Sequence, residues 1–279
     1  MLSYRHAFHA GNHADVLKHI VLVRILGYMT QKDKPLCYID THAGPGVYDL
    51  RTNMANKTAE YAGGIGRLWQ RDDLPEELLP YIELITRLNA GGDRLHHYPG
   101  SPWLACQLLR KRDRLCLSEL HSTDFPVLQQ NFAADRRVHC YHEDGYQKLL
   151  ALLPPLEKRA CILIDPAYEQ KQEYRQVIDH IAWAYKKFPT AVYMLWYPVV
   201  ERDYVLQLEK RLKATDIRDI CRFELGIAAD DSGQGMTASG VIVINPPWHL
   251  KQEMQRILPW LVKHMTASGH YYAEQLAEE

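Results

Sequence analysis

The sequence predicts an α/β protein with a mainly parallel β-sheet that helices cover on both faces. Two observations lead to this fold class. Short apolar, β-prone runs alternate with helical patterns along most of the chain, which is typical of parallel strands buried between helical layers. The last two strand-like runs, Ile217–Leu225 and Ser239–Asn245, are joined by a stretch rich in Gly and Asp, which predicts an antiparallel hairpin at the end of the sheet.

The predicted elements follow one another in a regular order. The first is a helix over His13–Gln31, whose apolar residues recur at helical spacing. A buried strand over Leu36–Ile39 comes next and ends at Asp40. The later elements are strand Leu115–Leu120, helix Asp124–Phe132, strand Val138–Tyr141, helix Tyr146–Leu153, strand Cys161–Ile164, helix Glu173–Lys187, strand Ala191–Tyr197, helix Val200–Lys213 and, after the hairpin, helix His249–Met265.

One segment, residues 53–98, interrupts this alternation. It is polar and helical, with predicted helices over Ala59–Gln70 and Leu74–Leu88. The apolar side chains of the second helix need covering, which argues against a simple surface loop. We therefore predict a single domain over residues 1–279, with a small helical insertion subdomain over residues 53–98.

The composition limits the class of protein. The 279 residues are 47% hydrophobic and 24% charged, as in an ordinary globular protein with an ample core. A formal net charge of −1 excludes a generally basic nucleic-acid-binding protein but leaves room for a local basic patch. Six scattered cysteines without a C-x-x-C pair, no apolar signal core and no run of roughly 18 apolar residues predict a cytoplasmic protein with reduced thiols and no membrane association.

A glycine-bearing turn, Asp40–Gly46, follows the first strand. Its two glycines let the backbone turn sharply and approach a ligand, although G-x-G alone is weak and the third glycine of a dinucleotide fingerprint is missing. Acidic residues at the next two strand ends strengthen the pattern. Glu119 is placed to accept ribose hydroxyls, and Asp144, just before Gly145, to meet an adenine amino group. A single such acid would indicate only a helix cap, but the ordered series predicts a nucleoside cofactor.

The charge of this site favours S-adenosylmethionine over NAD as the cofactor. S-adenosylmethionine is cationic at sulfur, which suits an acidic rim without a phosphate cradle. Ser101, which follows Pro99-Gly100, has two possible uses. It either caps the helix predicted over Trp103–Arg110 or contacts the cofactor, and capping is the commoner use of such a serine.

The motif Asp165-Pro166-Ala167-Tyr168 follows the apolar run Ala160–Ile164. A carboxylate, a backbone carbonyl and an aromatic ring are the groups needed to hold a flat base with an exocyclic amino group. Asp165 and the Pro166 carbonyl can each accept one N–H, so that the nitrogen lone pair is directed at a methyl donor. Tyr168 can stack on the base. The alternative is a helix-starting Asp-Pro turn, which many α/β proteins have.

A second stretch, Asn245-Pro246-Pro247-Trp248, fits the pattern (D/N)-P-P-aromatic better. It follows the last strand, which this topology places at the edge of the sheet and away from the glycine turn. The strand before Asp165 is instead expected beside the strand before Asp40. Position therefore favours Asp165, and we interpret Asn245–Trp248 as a strand-to-helix turn.

The N-terminal segment Tyr4–His19 is rich in imidazole. His9 and His13 stand at i and i+4, where a helix would let them share a metal. No third ligand follows at a recognisable spacing, and the intervening glycine argues against a helix there, so we predict no metal site. A hydrogen-bonding lid over the active site, with Lys18 and His19 at the start of the first helix, fits the segment better.

Together these motifs resemble the RlmJ-type large-subunit (23S) ribosomal RNA adenine-N6 methyltransferases, essentially from end to end. The stretches that carry the resemblance are Tyr4–His19, Asp40–Gly46, Tyr98–Ser101, Asp144-Gly145 and Asp165–Tyr168. The glycine turn also resembles the D-P-F-A-G-S-G turn of DNA adenine methyltransferases. The resemblance implies a class I S-adenosylmethionine-dependent methyltransferase (Rossmann-like) fold with a helical insertion, S-adenosylmethionine as cofactor, a monomeric protein, and ribosomal RNA that is protein-free or early in assembly as partner.

The resemblance also implies roles for individual residues. Asp165 is expected to be the catalytic acidic residue. The expected substrate-side residues are Tyr4, near the target base, His6, Lys18, Pro166 and Tyr168. The expected cofactor contacts are His19, His42, Ser101, Glu119, Asp144 and Gly145. One departure is Ala167, where the family's D-P-P-Y motif has a second proline, and its loss frees the backbone of Pro166.

The predicted function is methyl transfer from S-adenosylmethionine to the N6 amino group of a specific adenine in large-subunit ribosomal RNA. A DNA adenine methyltransferase is the nearest alternative, since such a pocket holds a flipped base of either nucleic acid. The lack of a separate DNA-recognition domain of useful size favours RNA. A metal-dependent nuclease involved in the use of external DNA is an alternative from another class, and chelator-sensitive nuclease activity would distinguish it.

Overall fold

The computed structural model of the protein describes residues 5–230 and 235–278. Its strands are β1 (Cys37–Asp40), β2 (Val47–Asp49), β3 (His97–Pro99), β4 (Arg114–Ser118), β5 (Val138–Tyr141), β6 (Ala160–Ile164), β7 (Val192–Val199), β8 (Ile220–Gly226), β9 (Ala238–Ile244) and β10 (His270–Ala277). Its α-helices are α1 (His13–Met29), α2 (Asn53–Thr58), α3 (Glu60–Gly63), α4 (Leu79–Leu88), α5 (Ser101–Leu108), α6 (Asp124–Phe132), α7 (Gly145–Leu152), α8 (Glu173–Lys187), α9 (Arg202–Lys213) and α10 (Leu250–Met265).

Eight of the described strands form a central sheet in the order β10-β8-β9-β7-β6-β1-β4-β5, and β2 and β3 form a separate two-stranded sheet. The strands from β7 to β5 in this order are parallel, whereas β9 is antiparallel to β7 and β8, and β10 is antiparallel to β8. The predicted fold class, a mainly parallel sheet with an antiparallel hairpin, is confirmed. The strand before Asn245, β9, lies between β8 and β7, so its predicted position at the edge of the sheet is wrong. The edge strand on this side is β10, whose polar sequence lacks the apolar pattern that predicts a strand.

The strand β1 lies in the middle of the parallel part. Asp40 is in register with Leu117 of β4 and with Leu163 of β6, so the predicted adjacency of the strands before Asp40 and Asp165 is confirmed. Parallel strands end at the same edge of a sheet. The segments that follow β1, β4, β5 and β6 therefore meet at one edge, the usual place for a ligand in such folds.

Helices cover both faces of the sheet, and α1 is the most enclosed of them. It packs with α5 and α10 on one face, while α7, α8 and α9 cover the other. From His13 to Leu26, every residue of α1 except Arg24 is buried. Its polar residues Asp15 and Lys18 are therefore enclosed together with the apolar ones, and buried charges need partners.

Residues 53–98 contain shorter helices than the two predicted ones. The helix α3 ends at Gly63, because Gly64 has the non-helical backbone angles φ −99° and ψ −112°. The continuous helix predicted over Ala59–Gln70 is therefore wrong. The second helix, predicted over Leu74–Leu88, begins only at Leu79. The ladder of β2 with β3, which the sequence did not predict, pairs Val47 with Pro99 and brings the two ends of the segment together.

Two further findings concern the composition. In the described ranges, no helix is long and apolar enough to cross a membrane. All six cysteines are free thiols, and four of them are buried. The free thiols agree with the reduced state that the scattered cysteines predict.

The start of α7 lies directly against the turn after β1. A Cβ at Gly145 would stand 1.9 Å from the Thr41 carbonyl oxygen, so α7 would have to move. Gly145→Ala is expected to lower the free energy of unfolding by about 1–3 kcal/mol, measured by urea denaturation. Gly27→Ala in α1 is the control, because a Cβ there meets nothing within 4 Å and alanine favours helix by about 0.5–1 kcal/mol. Wild-type stability of Gly145→Ala would contradict the close approach.

Candidate functional site

The site residues predicted from the sequence meet in one cavity of about 1140 Å³ at the carboxyl edge of the parallel strands. The predicted residues that line it are His6, Lys18, His19, His42, Ser101, Glu119, Asp144, Gly145, Asp165, Pro166 and Tyr168. Tyr4 lies outside the described residues, so its place beside the target base stays a prediction. Lining residues that sequence reasoning missed include Asp15, Tyr146, His180 and Trp196.

Asp165 stands directly after β6 and is held by an ion pair from α1. The Lys18 ammonium nitrogen lies 2.6 Å from Asp165 Oδ2 and 2.9 Å from Asp15 Oδ1. The Lys18 side chain is only 5% exposed, so little water screens these contacts. A buried amine between two carboxylates keeps both of them in place, because separating any of the three would leave an uncompensated charge.

Asp15 anchors this cluster from within α1. Its Oδ2 accepts the Gly11 backbone N–H at 2.8 Å and shares a 2.9 Å hydrogen bond with His6 Nε2. Burial raises the pKa of Asp15, but His6 and Lys18 together hold it well below its ordinary value. Burial lowers the pKa of Lys18, but Asp15 and Asp165 raise it above its ordinary value. The signal in the sequence was a carboxylate three residues before a lysine on a helix without a polar face.

Asp40 ends β1 and is fully buried. Tyr38 Oη and Ser101 Oγ each donate to Asp40 Oδ2 at 2.7 Å, and the His42 backbone N–H donates to Oδ1 at 3.3 Å. Burial raises the pKa of Asp40 to about 6, although these hydrogen bonds lower it. Ser101 is the first residue of α5 and makes no capping bond. Of the two uses that the sequence left open for Ser101, capping is therefore wrong, and the serine ties α5 to the end of β1. Its contact with the cofactor stays a prediction.

Glu119 follows β4 and binds the glycine turn. Its Oε2 accepts the Gly44 backbone N–H at 2.7 Å, and its Oε1 accepts the His121 backbone N–H at 2.6 Å. Gly44 has φ +60°, and a Cβ there would stand 2.5 Å from Tyr48 Oη. Burial raises the pKa of Glu119, against the lowering effect of the two backbone bonds. Each carboxylate oxygen has a second lone pair, which suits a group that receives two further hydroxyls.

Asp144 caps α7 with one oxygen and leaves the other available. Its Oδ1 accepts the backbone N–H groups of Tyr146 and Gln147 at 2.9 and 3.0 Å. Among the described residues, no hydrogen bond or ion pair reaches Oδ2. Helix capping and ligand binding are therefore compatible at Asp144, because each uses a different oxygen.

Two histidines, the buried His19 and the half-buried His42, complete this side of the cavity. His19 Nδ1 shares a 2.7 Å hydrogen bond with Tyr98 Oη. The buried His19 Nε2 has no hydrogen-bond partner within residues 5–230 and 235–278, and Asp15 Oδ1 lies 3.9 Å away. His42 Nδ1 is 2.8 Å from Thr41 Oγ1. Burial lowers the pKa of His19 to about 3 and that of His42 to about 4, so both rings are neutral at neutral pH.

The chain turns sharply after Asp165. Tyr168 has φ 51°, a left-handed conformation that is strained for a residue with a side chain. Its Oη donates to the Trp196 carbonyl oxygen at 2.8 Å, and its ring centroid lies 4.4 Å from that of Tyr174. These contacts hold Tyr168 at the cavity wall in spite of the strain. Its stacking on a base stays a prediction.

The competing stretch Asn245–Trp248 lies at the amino ends of the parallel strands, opposite to the cavity. Because β9 runs antiparallel to β7, Asn245 follows the residue that pairs with Tyr193 near the start of β7. Asn245 Nδ2 donates to the carbonyl oxygens of Pro189 and Ala191 at 2.8 and 2.6 Å. The Asn245 side chain therefore secures the loop before β7 and is remote from the cavity.

The N-terminal segment borders the cavity and is tied to the helical insertion. Glu60 joins the two, since its carboxylate lies 2.8 Å from His9 Nδ1 and accepts a hydrogen bond from Asn12 Nδ2 at 2.9 Å. Arg5 pairs with Asp124 at 3.1 Å. In the part of the chain that the structure describes, no three His, Cys, Asp or Glu side chains are grouped so that they could hold a metal ion.

Comparisons with known proteins identify close relatives. A family profile described as "Ribosomal RNA large subunit methyltransferase D, RlmJ" matches residues 33–276. Two curated proteins named "Ribosomal RNA large subunit methyltransferase J" are each 50% identical to this chain. The one from Escherichia coli K12 aligns over 98% of this chain and 97% of its own length, and the one from Haemophilus influenzae Rd over 96% of each. A crystal structure of a Legionella pneumophila protein is 42% identical, with a TM-score of 0.90 over 96% of this chain and 98% of that one.

The burial of His19 makes stability depend on pH. With a pKa of about 3 in the folded protein against 6.5 for an ordinary histidine, His19 takes up a proton only on unfolding. Its contribution to stability is therefore complete above about pH 6.5 and is lost as the pH falls. His19→Gln is expected to reduce the slope of unfolding free energy against pH by about 1.4 kcal/mol per pH unit between about pH 6 and 4. Urea denaturation at several pH values measures this slope.

The control for this prediction is His139→Gln, because the His139 side chain is exposed. That variant is expected to keep the wild-type slope. If both variants kept the wild-type slope of unfolding free energy against pH, the neutral buried state of His19 would be disproved.

Proposed function

The chain belongs to the RlmJ family of large-subunit ribosomal RNA methyltransferases, and on this premise we propose that it methylates the N6 amino group of an adenine in large-subunit ribosomal RNA. The methyl donor is S-adenosylmethionine. The observation that carries the adenine-directed chemistry is the position of Asp165, which follows β6 beside the glycine turn of β1 and pairs with the buried Lys18 at 2.6 Å.

On the substrate side, the Asp165 carboxylate and the Pro166 carbonyl accept the two N–H groups of the adenine amino group. These bonds draw the nitrogen towards a pyramidal geometry and free its lone pair for attack. Lys18 fixes the direction of the Asp165 carboxylate and is, in this proposal, a positioning residue. The nitrogen becomes strongly acidic as it is alkylated, and an Asp165 oxygen receives its proton. Positioning of these groups supplies most of the rate enhancement.

On the cofactor side, the residues present fit S-adenosylmethionine, which supplies an electrophilic methyl group when bound. Glu119 has a lone pair on each oxygen for the ribose hydroxyls, and Asp144 Oδ2 is available for the adenine amino group. His19 Nε2 is a buried polar atom whose hydrogen bond the described residues leave unmade, as expected of an atom that meets a ligand. Gly44, in the turn after β1, and Gly145, at the start of α7, both line the cavity.

The surroundings of the reaction are part of the proposal. We infer that the protein acts in the cytoplasm as a monomer, on RNA that is protein-free or early in assembly. The family resemblance and the free thiols support this inference. Light scattering after size-exclusion chromatography tests the monomer, and methylation of naked RNA against assembled subunits tests the assembly stage.

The domain organisation and the N-terminal lid also belong to the proposal. Residues 1–279 form one methyltransferase domain, and residues 53–98 form its helical insertion subdomain, whose ends the ladder of β2 with β3 joins. The N-terminal segment, with Tyr4 near the target base and His6 on the substrate side, covers the bound adenine. Its contacts to Glu60, which lines the same cavity, support this proposal.

Asp165→Ala is expected to abolish methyl transfer and to leave S-adenosylmethionine affinity nearly unchanged, because Asp165 lies on the substrate side. Asp165→Asn keeps one oxygen that accepts an N–H and should retain a small residual activity. Transfer of tritiated methyl groups to unmodified RNA measures both variants, and thermal melting reports the effect of leaving Lys18 with one partner. Asn245→Ala is the control and should be fully active. Full activity of Asp165→Ala together with loss of activity in Asn245→Ala would show that Asn245–Trp248, and not Asp165–Tyr168, is the catalytic motif.

The same assay separates the substrates when naked large-subunit RNA, naked DNA and assembled subunits are compared in parallel. We expect methylation of RNA. If only DNA were methylated, the substrate would be DNA and not RNA. Chelator-sensitive nuclease activity without methyl transfer would overturn the methyltransferase itself.

Glu119→Ala is expected to weaken S-adenosylmethionine binding by about 1.5–3 kcal/mol, the range for hydrogen bonds to a charged group. Glu119→Gln should fall between this variant and the wild type, because its amide oxygen still accepts. Isothermal titration calorimetry measures the affinity, and thermal melting reports any loosening of the glycine turn. Unchanged affinity of a folded Glu119→Ala would remove Glu119 from the cofactor site.

A further inference from the structure

Basic residues are concentrated at the amino ends of the parallel strands, at the opposite end of the sheet from the cavity. Residues 30–36, 109–114 and 155–159 lead into β1, β4 and β6, which are neighbours in the sheet, and Arg114 is the first residue of β4. The three loops contain eight basic and three acidic residues, although the net charge of the chain is only −1. We call the surface formed by these loops and the adjoining Trp248 the basal surface.

Two arginines lock the loops of the basal surface together. Arg110 donates to the carbonyl oxygens of Thr30 at 2.7 Å and of Lys34 at 2.8 Å. Arg159 donates to the carbonyl oxygens of Met29 at 2.9 Å and of Lys34 at 3.0 Å. The guanidinium groups of Arg110 and Arg159 are thus used to hold the backbone. The side chains that the loops carry are presented from fixed positions.

The lysines of the basal surface are left without acidic partners. The three acidic residues of the loops are each paired with an arginine, as Asp33 with Arg112, Asp113 with Arg110, and Glu157 with Arg114. The exposed lysines that have no ion pair within the described ranges are Lys32, Lys34, Lys111 and Lys158. Four unpaired ammonium groups on locked loops attract a polyanion and need no rearrangement to bind it.

An exposed aromatic ring lies at the same end of the sheet as these lysines. Trp248 is 77% exposed, which is uncommon for such a large apolar side chain. Its ring centroid lies 5.3 Å from that of His249, which lies 4.8 Å from that of Tyr28. Tyr28 immediately precedes Met29 and Thr30, whose carbonyl oxygens bind the two arginines. These ring contacts join Trp248 to the end of α1, directly before the loop that carries Lys32 and Lys34.

We propose that the basal surface is a second RNA-binding surface, in which the lysines contact phosphates and Trp248 stacks on an unpaired base. Cationic side chains beside an exposed aromatic ring are the combination that binds single-stranded nucleic acid. The surface lies at the opposite edge of the sheet from the cavity, so it engages a part of the RNA remote from the methylated adenine. This inference rests on the proposed RNA substrate, to which it adds affinity and not chemistry.

Two variants of the full-length protein test the proposal. In the first, Lys32, Lys34, Lys111 and Lys158 are changed to Gln, and in the second Trp248→Ala removes the ring. Filter binding of unmodified large-subunit RNA should show a smaller salt dependence for the lysine variant, by about 0.7–0.9 in the slope of log K against log salt for each phosphate that is no longer neutralised. Trp248→Ala should weaken binding about tenfold without changing that slope. In methyl transfer, both should raise KM and leave kcat unchanged.

The control variant changes two exposed lysines of α9, Lys210 and Lys213, to Gln. The helix α9 covers the face of the sheet opposite to α1. The control variant should bind RNA like the wild type, and all variants should melt like the wild type because the changed side chains are exposed. Unchanged RNA affinity and salt slope in both basal variants would overturn the second surface, as would an equal loss in the control. Wild-type protein that binds RNA but methylates none would instead overturn the proposed function, since binding and methyl transfer are measured separately.

Discussion

The ion-pair chain from Asp15 through Lys18 to Asp165 connects the most enclosed helix to the active edge of the sheet. α1 is buried around its circumference, so a charge on it is stable only with partners, and removing one partner of such a pair typically costs about 3–5 kcal/mol. Asp15 supplies one partner from the helix itself, and Asp165 supplies the other from the end of β6. The carboxylate proposed to do the chemistry is therefore also part of the support of α1. Its position cannot relax without disturbing the packing.

The parallel sheet determines which other groups reach this carboxylate. Asp40 is the last residue of β1, and Glu119, Asp144 and Asp165 follow three other strands. The carboxyl ends of parallel strands lie at one edge of the sheet. Burial raises the pKa of Asp40 and of Glu119, and hydroxyl or backbone N–H donors compensate each of them. The result is an acidic, hydrogen-bonded wall that suits a sulfonium cofactor. The loops at the amino ends of the strands are basic. Acidic and basic residues are therefore concentrated at opposite ends of the sheet, although the net charge is only −1.

Much of the fold could be predicted from the sequence, because alternating apolar periods are local signals. The same signals failed where local preference did not decide. The polar strand β10 and the ladder of β2 with β3 are held by pairing, not by apolar pattern. Gly64 divides one predicted helix, because its backbone adopts the non-helical angles φ −99° and ψ −112°. Ser101 has the sequence of a cap, but its hydroxyl is taken by Asp40 from another element.

The sequence alone was enough to find the motifs around Asp40, Glu119, Asp144 and Asp165. Each of these motifs combines the end of a predicted strand with a residue type that suits one kind of ligand contact. Their assembly into a single cavity was a matter of strand order, which the alternating pattern also implied. The use of Lys18 was decided only by the tertiary structure. Its partner Asp165 is 147 positions away, and no local pattern records which buried charges meet across the core. The basal surface has the same origin, since three loops far apart in the chain become one surface only when β1, β4 and β6 lie side by side.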